Sequence, residues 1–308
     1  MSFEGASAVA WSIKAYVSAL VWLLAALLGA ATGAGVPAHA QGVETQAGKP
    51  KDLPPVSELI LESHESDFLQ ATKQFYVVLP RSYDGKREFP VIYVLHGAWG
   101  SYKDWPSHMD VTKLANAYDV ILVFPDGGQF GWYLDSPVEP KSQYESYIIK
   151  ELIPYIDSHY LTIADARGRG IVGLSMGGHG AITLAFKHPD LFASASSLSG
   201  VLDLTRHSND FELPKRLGSI RTNRAAWEAN SALHLARQLT PDFPVKLFVD
   251  VGTSDFTLAA NRAFAKEVTG RGVPLKYVER PGTHDWAYWT GNIAEHIAFH
   301  AAAFHAVQ

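Results

Sequence analysis

The stretch Arg169-Gly-Ile-Val-Gly-Leu-Ser-Met-Gly-Gly-His-Gly180 decides the fold, because it joins an apolar run to a helical pattern through a glycine-rich turn. Within it, Gly173-Leu-Ser-Met-Gly177 fits the pattern G-x-S-x-G, and residues 181–187 continue as a helix. Strand, tight turn and helix form the context in which such a serine becomes an exposed nucleophile. The turn strains the serine backbone and brings strand and helix close together, so its flanking positions need glycine. We therefore predict that Ser175 is a nucleophile; an ordinary glycine-rich turn is the alternative.

The composition limits the classes of protein to which the chain can belong. Its 308 residues suit one large domain or two small ones, and a hydrophobic content of 47% is enough for a sizeable core. The formal net charge is −5, and no basic stripe or charge run indicates a nucleic-acid partner. Cysteine is absent from the sequence, which excludes disulfides, thiolate catalysis and cysteine-bound metals.

The N-terminal segment has the pattern of an export signal. Lys14 precedes a long apolar run over residues 15–36, and Ala38-His-Ala40 then matches the small-residue rule for signal peptidase cleavage. We predict a signal peptide over residues 1–40, cleavage after Ala40 and a secreted or periplasmic protein. An uncleaved membrane anchor is the alternative, because the apolar run is long enough to span a bilayer.

The rest of the chain alternates between strand and helix patterns, which predicts an α/β fold with a mostly parallel sheet covered on both faces. Residues 41–56 are polar and contain prolines, which predicts a linker, and residues 57–308 are predicted to form the catalytic domain. The more polar segment 202–240 is predicted to be a lid or cap insertion, because it is too short to hold its own core. Strands are predicted at 57–63, 73–79, 90–95, 120–124, 170–172, 193–198, 245–251 and 275–278, and helices at 111–118, 143–159, 176–187, 257–269 and 292–307.

A serine nucleophile needs a base, and the base needs an acid that orients it. When the serine lies at a sharp turn between a strand and a helix, called a nucleophile elbow, the order along the chain is serine, acid, histidine. His284 is the favoured base because it lies in a Gly/Pro turn after the last strand. Asp255 and Asp250 compete as the acid, and Asp255 is favoured because it follows the carboxyl end of its strand. A helix N-cap is the alternative role for Asp255.

The developing oxyanion needs two N–H donors. One is expected from Met176, directly after the nucleophile, and the other from the loop that follows an early strand. Leu95-His-Gly-Ala-Trp-Gly100 is well placed for this, and its glycines allow the Ala98 N–H to face the serine. His96 is expected to be a structural hydrogen-bonding residue rather than a catalyst.

Two other groups of side chains have both a functional and a structural interpretation. His296 and His300 have the i, i+4 spacing of a helical metal pair, but a third ligand is not evident and a packed or solvated helix face is favoured. Aromatic residues near the predicted loops could form a wall for an aryl or sugar group or simply pack under those loops. The aromatic candidates for substrate binding are Trp99, Trp105, Trp132, Tyr133 and Trp286.

Taken together, these motifs resemble those of one protein family. The segments that carry the resemblance, in chain order, are 93–97 (YVLHG), 124–128 (FPDGG), 131–133 (GWY), 173–178 (GLSMGG), 252–255 (GTSD) and 284–286 (HDW). They are similar to those of the putative-esterase family of the α/β-hydrolase superfamily, which includes S-formylglutathione hydrolase (esterase D), tributyrin and feruloyl esterases and the antigen 85 mycolyltransferases. The resemblance implies Ser175 as nucleophile, Asp255 as acid and His284 as base, with oxyanion donors from Met176 and Ala98.

Three functions are compatible with this sequence. The favoured one is an exported serine carboxylesterase that hydrolyses short-chain acyl or aryl/sugar esters. An acyltransferase of the antigen 85 type would use the same triad and pass the acyl group to a sugar hydroxyl, and a silent binding protein on the same fold is the third. The expected partner is a small-molecule ester, and no metal or cofactor is required. The sequence leaves the acyl group, the alcohol and the oligomeric state open.

Overall fold

The computed structural model describes residues 58–305. The predicted signal peptide over residues 1–40 and the predicted linker over residues 41–56 lie outside the described residues. In the described part, no helix combines the length and the apolar character needed to cross a membrane.

A mixed eight-stranded sheet forms the centre of the fold, in the spatial order β1-β2-β4-β3-β5-β6-β7-β8. The first two strands pair antiparallel, β2 is antiparallel to β4, and all other neighbours are parallel. The predicted α/β class with a mostly parallel sheet is therefore confirmed. The strands are β1 Leu59–Ser66, β2 Ala71–Val78, β3 Val91–Leu95, β4 Ile121–Pro125, β5 Arg169–Leu174, β6 Ser194–Leu198, β7 Lys246–Gly252 and β8 Leu275–Arg280.

Helices connect the parallel strands and cover the sheet. They are α1 Asp104–His108, α2 Thr112–Tyr118, α3 Tyr144–Ser146, α4 Ile153–His159, α5 Met176–Lys187, α6 Leu213–Leu217, α7 Arg224–Ala229, α8 Ala232–Ala236, α9 Leu258–Gly270 and α10 Trp286–His305. A π-helical turn, Tyr147–Leu152, joins α3 to α4. The short helices α1, α6, α7 and α8 were not predicted individually, and the predicted start of the last helix, Asn292, lies six residues too late. The earlier start of α10 is stabilised by Asp285, whose Oδ1 accepts a hydrogen bond from the Tyr288 N–H at 2.9 Å.

The central strands are buried on both faces, and their side chains divide the core into two parts. In β3, Val91, Tyr93 and Leu95 point into the larger hydrophobic cluster, whereas Ile92 and Val94 point into the smaller one. This division follows from the two-residue period of a strand. The larger cluster contains residues of α4, α5 and α9, and the smaller one contains residues of α2 and α10.

The segment 202–240 consists of short helical pieces that pack onto the main core. Leu204, Leu213, Leu217 and Trp227 are fully buried in the larger hydrophobic cluster, together with side chains of the sheet. The segment therefore has no separate core in the described structure and forms part of the same domain. It brings Phe211 to the edge of the cavity described below.

Candidate active site

Ser175 lies at the sharp turn between β5 and α5. Its backbone has a φ of 53° and a ψ of −116°, a conformation that costs free energy for any residue with a Cβ. Gly177 is required beside it, because an added Cβ would lie 2.5 Å from the His96 carbonyl oxygen. The Ser175 N–H donates to the Leu198 carbonyl at 2.9 Å, which fixes the turn against the neighbouring strand β6.

The structure brings the predicted serine, histidine and aspartate into one hydrogen-bonded chain. The Ser175 Oγ lies 2.9 Å from Nε2 of His284, and Nδ1 of His284 lies 2.9 Å from Oδ2 of Asp255. Asp255 is acceptor-only when ionised, so Nδ1 carries the proton and Nε2 is free to accept the serine hydroxyl proton. This is the arrangement that a serine nucleophile and its base require.

Asp255 is held in place by Thr257, the residue directly before α9. Its Oδ1 accepts hydrogen bonds from the Thr257 N–H and the Thr257 hydroxyl, each at 2.8 Å. Burial raises the pKa of the Asp255 carboxyl, but the hydrogen bonds from His284 and Thr257 outweigh it, so that the pKa lies below its ordinary value. Asp255 therefore stays ionised beside the imidazole. The alternative role as helix N-cap is not seen, because the N-cap position of α9 is Thr257.

Asp250, the competing acid, belongs to a different cluster. It is fully buried on β7, and its Oδ2 lies 3.3 Å from Nε2 of His296 and 3.5 Å from Nε of Arg280. It therefore faces α10 rather than His284.

The two predicted oxyanion donors lie beside the serine. Met176 is the first residue of α5, and N–H groups in the first turn of a helix have no acceptor within that helix. Ala98 lines the cavity that contains Ser175. His96 holds the loop that carries Ala98: its Nδ1 lies 2.7 Å from the Gly97 carbonyl, and its Nε2 accepts the Gly127 N–H at 2.8 Å. Both ring nitrogens of His96 are thus occupied by the backbone.

A cavity of about 260 Å³ opens above Ser175. Its walls are mostly apolar and aromatic. They come from residues 95–100, called the oxyanion loop because a donor was predicted there, and from the 202–240 segment, the loop after β7 and the start of α10. The lining residues are Gly97, Ala98, Trp99, Asp104, Trp132, Leu174, Ser175, Val201, Phe211, Phe256, His284, Trp286 and Trp289.

Three of the aromatic candidates line this cavity, namely Trp99, Trp132 and Trp286. The prediction is wrong for Trp105 and Tyr133, which are buried next to the site without reaching its surface. Trp105 donates its Nε1–H to the Leu95 carbonyl at 3.2 Å, and the Tyr133 hydroxyl bonds to the backbone of His96. Both side chains support the oxyanion loop from below.

The sequence analysis missed several lining residues. Phe256 directly follows the acid, so its position in the chain was a usable signal. Trp289 was hidden by the late start assigned to α10. Phe211 lies in the polar insertion, where no periodic pattern marks it as part of a wall.

His296 and His300 are both buried in the interior of the protein, and each contacts a different set of residues. His296 stacks on the Phe248 ring at 4.0 Å, and His300 bonds to the hydroxyls of Ser194 and Ser196. Among residues 58–305, no group of three or more potential ligands is arranged to hold a metal ion. Burial lowers the pKa of His300 to about 3, so its ring stays neutral between the serines.

The fold is that of an α/β-hydrolase, and its site is that of a serine hydrolase. Three features define it: the sharp turn at the serine, the hydrogen-bonded serine, histidine and aspartate, and the mostly parallel sheet. Residues 66–300 match the model of the family described as Putative esterase, and the chain belongs to this family. The resemblance read from the motifs is thereby confirmed.

Individual relatives fall within the same set of enzymes. Esterase Rv1288 of Mycobacterium tuberculosis is 31% identical over 241 residues, which cover 68% of this chain and 51% of the relative. The diacylglycerol acyltransferase/mycolyltransferase Ag85A of Mycobacterium gordonae is 26% identical over 67% of this chain and 70% of its own length. A solved ferulic acid esterase superimposes with a TM-score of 0.70 at 28% identity, over 80% of this chain and 98% of its own. The chain spans about half the length of Esterase Rv1288.

Proposed function

We propose that this protein is an exported serine carboxylesterase that hydrolyses short-chain acyl or aryl/sugar esters through an acyl-enzyme. The observation that carries the proposal is the continuous hydrogen-bonded chain from Ser175 through His284 to Asp255. Membership of the esterase family and the similarity to a ferulic acid esterase support it.

In the first half-reaction, Ser175 Oγ forms a bond to the ester carbonyl carbon while His284 Nε2 takes the hydroxyl proton. The negative charge that develops on the carbonyl oxygen is held by the N–H groups of Met176 and Ala98, and each such donor typically contributes about 10²–10³ in rate. The bond to the alcohol then breaks, and His284 gives its proton to the departing oxygen. Asp255 stabilises the charged imidazole and fixes its tautomer.

In the second half-reaction, a water molecule loses a proton to His284 and attacks the acyl carbon. The bond to Ser175 Oγ breaks, the proton returns to the serine, and the carboxylic acid leaves. The cavity volume of about 260 Å³ lies below the 300–1,000 Å³ usual for drug-sized ligands, which favours a small acyl group or a single ring.

Covalent labelling tests the proposal at the level of the nucleophile. A fluorophosphonate probe reacts with an activated serine, so intact-protein and peptide mass spectrometry should find one adduct, on Ser175. The Ser175→Ala variant should take up none. A protein that binds small molecules without catalysis would remain unlabelled, and labelling at another serine would refute the assignment.

Acyl transfer to a sugar is the second candidate, favoured by the similarity to Ag85A. The first half-reaction is the same, and a sugar hydroxyl would replace water in the second. Product analysis of p-nitrophenyl ester turnover with and without trehalose separates the two. Free acid as the main product in both reactions supports the esterase, whereas an acylated sugar supports the transferase.

Export rests on the sequence pattern of residues 1–40. If the segment is removed as proposed, the mature protein isolated from the host begins at Gln41. A mature N-terminus before residue 30 would contradict cleavage and favour a retained anchor.

A further inference from the structure

The cavity is lined by an aromatic collar, defined as Trp99, Phe211, Phe256, Trp286 and Trp289. Adjacent rings touch: Trp99 lies 5.6 Å from Phe211, Phe211 lies 6.3 Å from Phe256, and Trp286 lies 5.3 Å from Trp289. The His284 ring closes the gap between Phe256 and Trp289. Trp99 and Phe256 are 66% and 54% exposed, so the collar presents aromatic surface to an entering molecule.

Asp104 is the one carboxylate among the described residues that line this cavity. Its Oδ1 accepts the Ser101 N–H at 3.2 Å, and its Oδ2 lies so close to Gly100 that an added Cβ there would collide with it. It forms no salt bridge with any residue between 58 and 305, and the ammonium of neighbouring Lys103 lies instead over the Tyr102 ring at 5.4 Å.

The lining therefore has a clear electrostatic preference. It contains no lysine or arginine within the described chain, so an anionic group would meet only the Asp104 charge. A cation would be stabilised by two interactions. The electron-rich faces of Trp and Phe attract cations, most strongly quaternary ammonium groups. The half-buried carboxylate would also gain a counter-charge that the protein does not itself supply.

We infer that the cavity recognises esters that carry a quaternary ammonium group, such as choline-type esters, with the aromatic collar and Asp104 as the binding determinants. This inference rests on the proposed esterase activity and adds a substrate class to it. Neutral esters of the same shape fit the same space but lack the attraction to Asp104 and to the ring faces.

The test compares esters that differ only in charge. Butyrylcholine and 3,3-dimethylbutyl butyrate share an acyl group and a leaving-group shape, and only the former has a positive charge. Rates for both esters are measured at the same ionic strength and the same pH. For the wild-type protein, kcat/KM for the cation should exceed that for the neutral ester about tenfold. Asp104→Asn, which keeps an oxygen for the Ser101 N–H, should reduce this ratio about fivefold.

Asp110→Asn is the matched control. Asp110 is exposed, accepts the Thr112 N–H and lies 3.7 Å from the Lys113 ammonium, and it does not line the cavity. The substitution makes the same change in net charge, and the ratio of the two rates should stay at the wild-type value. A drop equal to that of Asp104→Asn would mean that overall charge, not the cavity, sets the preference.

The remaining outcomes separate this inference from the proposed function. Equal rates for the two esters in the wild type, or an equal loss for both in Asp104→Asn, overturn the cation site while leaving the esterase intact. If neither ester is hydrolysed, binding decides: tetramethylammonium should change the tryptophan fluorescence of Ser175→Ala, and Asp104→Asn in that background should weaken the effect. Absence of any fluorescence change would overturn the cation site, and the lack of hydrolysis would count separately against the esterase.

Discussion

The Asp255 side chain contacts both the backbone that holds it in place and the imidazole of His284. One carboxylate oxygen receives two hydrogen bonds from Thr257, and both oxygens lie within 3.0 Å of Nδ1 of His284. The two hydrogen bonds from Thr257 thus hold the acid in the orientation that the imidazole needs. Little entropy has to be lost to align it before reaction.

Asp255→Asn is predicted to inactivate the enzyme without unfolding it. The amide oxygen can still accept from Thr257, but an amide no longer selects the tautomer with a proton on Nδ1. We expect kcat on a p-nitrophenyl ester to fall by about 10⁴, as in other serine triads, with little change in KM.

Asp250→Asn is the control for this prediction, because Asp250 was the competing acid. Its carboxylate touches His296 and Arg280 rather than His284, so the substitution should lower the melting temperature and leave kcat of the folded protein close to wild type. A larger loss of kcat in Asp250→Asn than in Asp255→Asn would reverse the assignment.

The three residues of the hydrogen-bonded chain could be predicted from the sequence because each has a local signal. Ser175 has flanking glycines, Asp255 follows an apolar strand, and His284 lies in a Gly/Pro turn. The cavity wall has no such signal. Trp105 and Trp286 are both tryptophans near loops, yet only Trp286 reaches the cavity, because packing in three dimensions decides which ring is covered.

At the level of elements, the sharp turn between β5 and α5 depends on close contact between the backbone of α5 and that of β3 and the loop after it. An added Cβ at Gly177 would lie 2.5 Å from the His96 carbonyl oxygen and 2.7 Å from that of Leu95. These are main-chain atoms of the oxyanion loop and the end of β3, so neither can rotate away.

Gly177→Ala is therefore predicted to separate α5 from β3. We expect a loss of about 1–3 kcal/mol in the free energy of unfolding, measured with urea, together with loss of activity. Gly291→Ala is the control: this exposed position in α10 has no atom within 4 Å of an added Cβ, and alanine should stabilise the helix by up to about 1 kcal/mol. Equal effects at both positions would contradict the packing argument.

Glu145 connects α3 to the end of α5. It lies 2.6 Å from Nζ of Lys187 and 2.9 Å from Nε2 of His188, and Lys187 also reaches the Asn230 side chain at 2.7 Å. Burial raises the pKa of Glu145, but the hydrogen bond from His188 and the charge of Lys187 outweigh it, so the pKa lies below its ordinary value.

This pKa predicts a pH-dependent contribution to stability. Because the folded pKa is lower than the unfolded value of about 4.5, the stabilisation is complete above that pH and is lost as the pH falls through the folded pKa. Glu145→Gln should cost about 1–3 kcal/mol in urea unfolding at about pH 7, and less at about pH 3.5.

Glu139→Gln serves as the control for the same charge change. Its side chain is 46% exposed and lies 4.0 Å from Arg216, so its effect should stay within about 0.5 kcal/mol at either pH. A cost for Glu145→Gln that did not change with pH would show that shape rather than charge matters there.

The strands were easier to predict than the helix boundaries. Runs such as Val91–Leu95 and Ile121–Pro125 are apolar throughout because both faces of the sheet are covered. The start of α10 was missed because Thr283-His-Asp-Trp286 looks like a continuing loop, and only the contact between Asp285 and the Tyr288 N–H shows that the helix begins there. The π-helical turn Tyr147–Leu152 has no distinguishing sequence pattern either.

At the scale of the whole molecule, the sheet assembles the site from distant parts of the chain. Ser175 follows β5, Asp255 follows β7 and His284 follows β8, so all three reach the same carboxyl edge. Ser175 and His284 are 109 residues apart in sequence. The strand order cannot be read from periodicity, because periodicity marks single strands and not which strands are neighbours.

Two comparable indole hydrogen bonds stabilise the 202–240 segment, one that connects it to the cavity wall and one that lies within it. Trp132 donates its Nε1–H to the Phe211 carbonyl at 3.1 Å, and Trp227 donates its Nε1–H to the Gly218 carbonyl at 3.0 Å. Both indoles are buried, but only Trp132 and Phe211 line the cavity.

Replacing each indole by phenylalanine tests whether this segment shapes substrate binding. Both Trp132→Phe and Trp227→Phe should lose about 0.5–1.5 kcal/mol of stability, since each leaves a carbonyl without its donor. Only Trp132→Phe should raise KM for p-nitrophenyl ferulate relative to p-nitrophenyl acetate, because only the former carries an aromatic acyl group. Equal changes in KM for the two variants would show that the segment acts on the site only through general stability.

The central claim is that Ser175 attacks the ester, and the kinetics of one substitution test it most directly. Hydrolysis of a p-nitrophenyl ester series, from acetate to palmitate and including ferulate, is compared between the wild-type protein and Ser175→Ala, with melting temperatures as the control for folding. Loss of the nucleophile should lower kcat by about 10⁴–10⁶ on every ester that the wild type cleaves. Equal rates for the two proteins would contradict the serine mechanism.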